Sequence, residues 1–267
     1  MLGSACAVAS AAAYDDFARG ISANLQGDDA LAVTSFSAAL AAGDLNPTLL
    51  PAAYRGRAVA YLRQRQCKSA LADLDEYVRL KPRDAQGLEL KGNAHACMGE
   101  FAAAEADLSQ AVAAAPDSDT YWVRGRIRWR NKNFVGAAED FAQVATLRPN
   151  YSYAVLWLEL SRARAATLDP KIGAHDLDEL DSRDWPAPLI KLFVGQARPE
   201  DMAAAAAQGD AKTVSDRQCE ADFYVAEWWL AHEDTVSAKP LLQAAADKCP
   251  KNFIEYDGAR FELGLAK

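Results

Sequence analysis

The chain is poor in the residues that carry out chemistry. Its 267 residues include three histidines and no HExxH, P-loop, GxGxxG or GxSxG pattern. His95 reads as a packed imidazole, whereas His175 and His232 stand beside acids and read as loop or turn surface. Nothing pairs carboxylates for acid–base work, and no cysteine pair has the CxxC spacing of a zinc or redox site. No enzyme activity, metal or cofactor is therefore expected.

Long apolar runs are missing too. None approaches 18 residues, so no transmembrane segment is expected. Positive charge is not in excess: 29 Lys and Arg face 37 Asp and Glu, a formal net charge of −8. That balance argues against broad nucleic-acid binding, because phosphate affinity is driven by cations. β-branched alternation is scarce while Ala- and Leu-containing runs abound, which favours helix. With 51% apolar and 25% charged residues, the chain reads as folded and all-α.

The first sixteen residues, MLGSACAVASAAAYDD, are small and apolar up to Ala13 and then abruptly polar. Residues 1–13 read as the remnant of a secretory signal, with Ala11-Ala12-Ala13 offering small residues before a cut and no charged segment ahead. Cys6 as a lipidation site would need Leu2 three residues before it, and the spacing is four.

What is present is a period. Ala32, Ala70, Ala104 and Ala137 are spaced 38, 34 and 33 apart, each inside the same frame. The second unit runs Tyr54, Tyr61, Ala70, Leu74, Pro82, and the third Leu88, Gly92, Phe101, Ala104, Leu108, Ala111, Pro116. The fourth runs Tyr121, Gly125, Phe134, Ala137, Phe141, Pro149; the first keeps Gly20, Gly27, Ala32, Phe36 and Ala39. Small residues let two helices approach, large ones fill the gaps, and proline stops the second helix. This resembles the tetratricopeptide repeat, a helix pair of 34 residues whose units must stack to bury their apolar faces.

The resemblance implies an all-α solenoid, a right-handed superhelix of antiparallel helix pairs. Residues 14–168 hold repeats one to four and a partial fifth first helix with Trp157, Leu160 and Ser161, where Arg164 replaces a packing residue. An irregular helical middle spans 169–217. The pattern returns in 218–267 as Phe223, Ala226, Trp229, Ala238, Leu242, Ala245 and Pro250, followed by a capping helix.

Repeat numbering brings cysteines together. Cys67 opens a second helix that packs on the first helix ending at Cys97, and Cys219 and Cys249 sit at the open ends of one hairpin. Both pairs are disulfide candidates, with four buried free thiols as the alternative. Groove positions of the repeat fall on Tyr14, Phe17, Ile21 and Leu25, then Arg55, Val59, Leu62 and Arg63, then Glu89 and Asn93. They continue with Trp122, Arg126, Trp129 and Arg130, and with Arg162. Aromatics and arginines on such a face suit an extended peptide with carboxylate groups. Packing against the 169–217 segment or a second subunit is the competing use of these side chains.

Trp157-Leu-Glu-Leu, Trp185-Pro-Ala-Pro-Leu-Ile-Lys-Leu-Phe-Val-Gly, Phe223-Tyr-Val-Ala-Glu-Trp-Trp-Leu and Asn252-Phe-Ile-Glu-Tyr follow in that order. This order resembles bacterial outer-membrane tetratricopeptide lipoproteins that act as adaptors for murein hydrolases and a protease. The resemblance implies a periplasmic protein, soluble or outer-membrane associated, non-catalytic, with a homodimer as one option and an envelope hydrolase or protease as partner. Two alternatives stand beside it. One is a cytoplasmic co-chaperone or regulatory module, and the other an RNA-binding solenoid resting on Arg124 to Arg130.

Overall fold

The structure is a computed structural model that describes residues 11–169, 173, 177 and 184–265. Cys6, most of the signal-like stretch and His175 lie outside them, while Ala11–Ala13 form the first turn of a helix. Among the described residues all regular structure is helical, as the resemblance implies. The hairpins are α1 (Ala11–Gln26) with α2 (Asp29–Ala41), α3 (Leu50–Arg63) with α4 (Cys67–Leu80), and α5 (Ala85–Cys97) with α6 (Phe101–Ala114). Then come α7 (Ser118–Arg130) with α8 (Phe134–Leu147), and α9 (Ser152–Arg164). Short helices α10 (Ala187–Phe193) and α11 (Met202–Ala206) precede α12 (Ala211–Ala231), α13 (Thr235–Lys248) and α14 (Ile254–Glu262). Two compact units part between the third and fourth repeats, Met1–Pro116 and Asp117–Lys267.

Side-chain caps start the helices. Asp28 accepts from the Leu31 amide at 3.0 Å and Asp84 from Gly87 at 2.7 Å. Asn133 accepts from Gly136 at 3.1 Å, and Asp117 forms a capping box with Thr120. Each cap satisfies an amide that has no partner within its helix. Inside the hairpins the chain turns through a left-handed residue: Gly27, Arg65, Gly99, Lys132, Ala166, Gly195 and Glu233 all have φ between 54° and 78°. That series continues through the middle of the chain. Gly173 and Leu177, both helical and buried, stand 16 and 20 residues after Trp157, the spacings of the small and large packing residues in the regular repeats.

Large side chains of the second helices seat on glycines of the first helices. The buried Phe36 ring of α2 lies where a Cβ on Gly20 would come within 2.8 Å and one on Gly56 within 2.4 Å. Leu108 meets Gly92 in the same way, and Phe141 meets Gly125. Cys67 and Cys97 lie at disulfide distance in the first unit, with Cα atoms 6.0 Å apart, and Cys219 and Cys249 in the second, at 5.1 Å.

Gly56→Ala is expected to destabilise the first unit by about 1–3 kcal/mol in urea unfolding, since the Phe36 ring has nowhere to move. Gly56→Ala with Phe36→Leu should recover part of that loss. No loss in the single variant would refute the contact. Unreduced protein is expected to show two disulfides by intact mass, each closing a loop of 30 residues. Reduction should then cost roughly 3–4 kcal/mol per bridge. Four free thiols in protein purified without reductant would contradict the pairing.

Candidate partner-binding surfaces

In the first unit α1 packs on α3 and α3 on α5, with no comparable packing of α2 on α4, so the odd-numbered helices form the inner layer. Polar bonds stitch this layer. Asn24 Nδ2 donates to the Gly56 carbonyl at 2.8 Å, and Arg63 Nη1 to the Asn24 carbonyl at 3.1 Å and Asp29 at 3.3 Å. Arg55 bonds Gln86 across the next seam. Of the groove residues expected here, Arg63 is exposed and Val59, Glu89 and Asn93 are half-buried. Leu62 packs on the cluster of Ala58, Ala70, Leu74 and Ala94.

Helix α1 presents an apolar stripe. Tyr14, Ile21 and Leu25 are 55%, 38% and 85% exposed, and Phe17 between them is half-buried with its ring 5.9 Å from Phe36. Spacings of three, four and four put all four on one helix face. An exposed apolar stripe of this kind marks an interaction surface more often than chance exposure does.

The second unit uses its groove positions differently. Trp129 is 1% exposed, wedged between Trp157 at 5.4 Å, Phe261 at 6.0 Å and Phe223 at 6.2 Å. The expectation that it faces a partner is corrected: the aromatic residues of α9, α12 and α14 bury it in their own core. Trp122 is half-buried against Phe141 and Tyr151, each 5.3 Å away. Arg162 is likewise engaged internally, bonded to the buried Glu159. Arg130 lies 3.7 Å from Asp257 of α14. Among the described residues Arg126 has no hydrogen-bond or ion-pair partner.

Arg124 clamps Asp140 with two bonds, at 2.9 and 2.6 Å, and Arg128 reaches Asp140 at 3.1 Å and the Gly136 carbonyl at 3.0 Å. The basic run from Arg124 to Arg130 is thus paired in part with acids. The same clamp recurs as Arg57 to Asp73 at 2.8 and 2.7 Å, and more loosely as Lys91 to Asp107 at 3.9 Å. A cation followed sixteen residues later by Asp in three successive repeats is the sequence signal for this clamp. His95 is a satisfied imidazole, 2.7 Å from Glu100 and 3.5 Å from Asp107, half-buried rather than in the core. His232 is exposed, as expected.

Arg164, anomalous as a packing residue, bonds Glu227 and, at 3.3 Å, Glu262, tying α9 to α12 and α14. Burial pushes the Glu227 carboxyl up to about 8 despite the arginine beside it. Glu255 accepts from the Tyr224 hydroxyl at 2.8 Å, and burial, with Glu220 adding repulsion, pushes it up to about 7. Glu220 in turn accepts from the Tyr153 hydroxyl and the Trp185 indole, both at 2.7 Å. These acids are each held by an internal donor, an arrangement that locks helices together. Among the described residues, no group of His, Cys, Asp and Glu is arranged to hold a metal ion, and no helix is long and apolar enough to cross a membrane.

A tetratricopeptide repeat family model matches residues 55–119 and, overlapping, 90–152. The crystal structure of a tetratricopeptide repeat protein from Parabacteroides merdae is similar over 94% of this chain and 99% of its own, at 16% identity and a TM-score of 0.63. A MamA crystal structure is similar over 63% of this chain and 91% of its own, at 18% identity and 0.56. Pseudomonas aeruginosa pilF is similar over 94% and 97%, at 15% identity and 0.53. At these identities the likeness is one of fold.

Folded Glu227 and Glu255 hold protons at pH values where an unfolded glutamate, near 4.5, has lost them. Their stabilisation is therefore complete below about 4.5 and is lost as pH rises through 7 to 8. The unfolding free energy of the second unit in urea is expected to be higher at pH 5.5 than at pH 8.5, by on the order of 1–2 kcal/mol. Glu227→Gln should remove most of that slope; an undiminished slope would rule Glu227 out as its source.

Proposed function

We propose that the protein is a non-catalytic repeat scaffold of the bacterial cell envelope that holds a peptide or partner protein on the inner layer of its first unit. The apolar stripe Tyr14, Phe17, Ile21 and Leu25 carries this reading, because three of its four large side chains stand in solvent. The exposed Arg63 and the half-buried Val59 and Asn93 extend the face with mixed chemistry suited to an extended chain. Two cysteine pairs at disulfide distance support an oxidising compartment, hence a periplasmic location. The resemblance to envelope adaptors points to a hydrolase or protease as partner. A cytoplasmic module would instead keep its thiols reduced.

Photo-crosslinking in intact cells tests the face. A benzophenone residue at position 21 or 25 is expected to capture a defined protein. At Val236, which is 85% exposed but alone on its helix face, it should not. Equal capture at Leu25 and Val236 would dismiss the α1 face, and capture of a second copy of this chain would make it a dimer interface instead. Release of the protein by osmotic shock is the accompanying expectation for location.

A further inference from the structure

A cleft of about 330 Å³ opens in the second unit where α11 and the turn before it meet α12 and α13. Its volume lies at the small end of the range for ligand sites. Met202, Ala206, Val225 and Leu241 line it with apolar surface, the first three of them buried. Two charged side chains share the lining, Asp222 of α12 and Lys248 at the end of α13. The Asp222 side chain keeps 24% of its surface in solvent, whereas that of Lys248 keeps 69%. Lys248 Nζ stands 3.9 Å from Asp222 Oδ2, beyond hydrogen-bond reach. The acids Asp140, Glu220 and Glu255 of the same unit each accept hydrogen bonds from internal donors. Among the described residues the Asp222 carboxylate accepts none. Burial pushes this carboxyl up, and Lys248 pulls it back down. Cys219 and Cys249, with Cα atoms 5.1 Å apart, join α12 to the end of α13 next to the lining residues Gln218 and Lys248. A bridge there fixes two walls of the cleft before any ligand arrives.

A carboxylate on the wall of a cleft loses its remaining water when the cleft is filled, so the occupant has to bring donors of its own. A purely apolar occupant would leave Asp222 desolvated with only the loose Lys248 contact, and an anion would meet Asp222 itself. Lys248 competes weakly, because its pair with Asp222 is largely exposed and not hydrogen-bonded. We propose that the cleft takes an arginine side chain of a protein partner, its guanidinium on Asp222 and its stem against Met202, Val225 and Leu241. The guanidinium fork matches both carboxylate oxygens. Its methylene stem suits the apolar walls, while Lys248 swings out into solvent. The chain's formal net charge of −8 draws a basic partner toward it. The cleft lies within Asp117–Lys267 and the α1 stripe within Met1–Pro116, so either docking point can fail without the other.

The test follows methionine methyl groups labelled with 13C in the full chain, at constant pH and ionic strength. Met202 lines the cleft and reports on it, whereas Met98 caps α5 in the first unit and serves as the control. Loss of its signal in Met202→Leu assigns the reporter. N-acetyl-Ala-Ala-Arg-Ala-Ala-amide, the same peptide with neutral citrulline or with glutamate in place of arginine, and n-propylguanidinium are titrated separately. A saturable shift at Met202 and none at Met98 is expected with the arginine peptide, and binding about tenfold weaker with citrulline. Asp222→Asn should weaken the arginine peptide by a similar factor while leaving the Met202 signal of the free protein in place. Lys248→Gln should tighten it about two- to fivefold, because a competitor for Asp222 has been removed. Where Asp222→Asn fails to fold, Lys248→Gln and the citrulline comparison decide the matter. Equal binding of the arginine and citrulline peptides would overturn the proposal, as would tighter binding of the glutamate peptide or weaker binding in Lys248→Gln. Tighter binding of n-propylguanidinium than of the peptide would overturn the protein partner in favour of a small cation.

Discussion

Two helices can close to packing distance only where one of them yields space to a large side chain of the other. Here the yielding positions are Gly20, Gly56, Gly92 and Gly125, and the seated residues are Phe36, Leu108 and Phe141. Phe36 fills two of these sites at once, so a single ring joins the first hairpin to the second. The other repeated features of the hairpins follow from that approach. Arg124 comes within bidentate reach of Asp140 beside the Gly125 seat of Phe141, and Arg57 holds Asp73 in the same way in the hairpin of α3 and α4. The cost of burying those acids is met by the same arginines, and the clamp ties the register of those two hairpins.

The two units spend their inner surfaces differently. In the first, short polar bonds from Asn24, Arg55 and Arg63 join successive inner helices and leave the α1 stripe in solvent. In the second, Trp129, Trp157, Phe223 and Phe261 interlock, and Arg164 with Glu227 and Glu262 draws α9, α12 and α14 together. An aromatic on a groove position therefore means opposite things in the two units. Tyr14 is available to a partner, whereas Trp129 is spent on the core.

How much was legible differs by residue. The period was readable because Ala32, Ala70, Ala104 and Ala137 recur in one frame, and both cysteine pairs followed from where that frame placed them. Arg164 read as a defect because its two acids, Glu227 and Glu262, are 63 and 98 residues away. The sixteen-residue spacing of cation and aspartate was present in the sequence and needed only to be compared between repeats.

By itself the sequence determined the helical hairpins and their pairing, since these depend on contacts within some thirty residues and repeat with the period. Small and large residues at fixed intervals leave a helix pair few other ways to bury them. Only the tertiary structure decided which inner-face side chains stay in solvent, because that depends on which distant helix arrives to cover them. It covered Trp129, paired Arg124, Arg128, Arg130 and Arg162, and left Arg126 half-buried with no hydrogen-bond or ion-pair partner among the described residues. Contacts across nearly a hundred residues, such as Arg164 to Glu262, carry no local periodicity from which they could have been read.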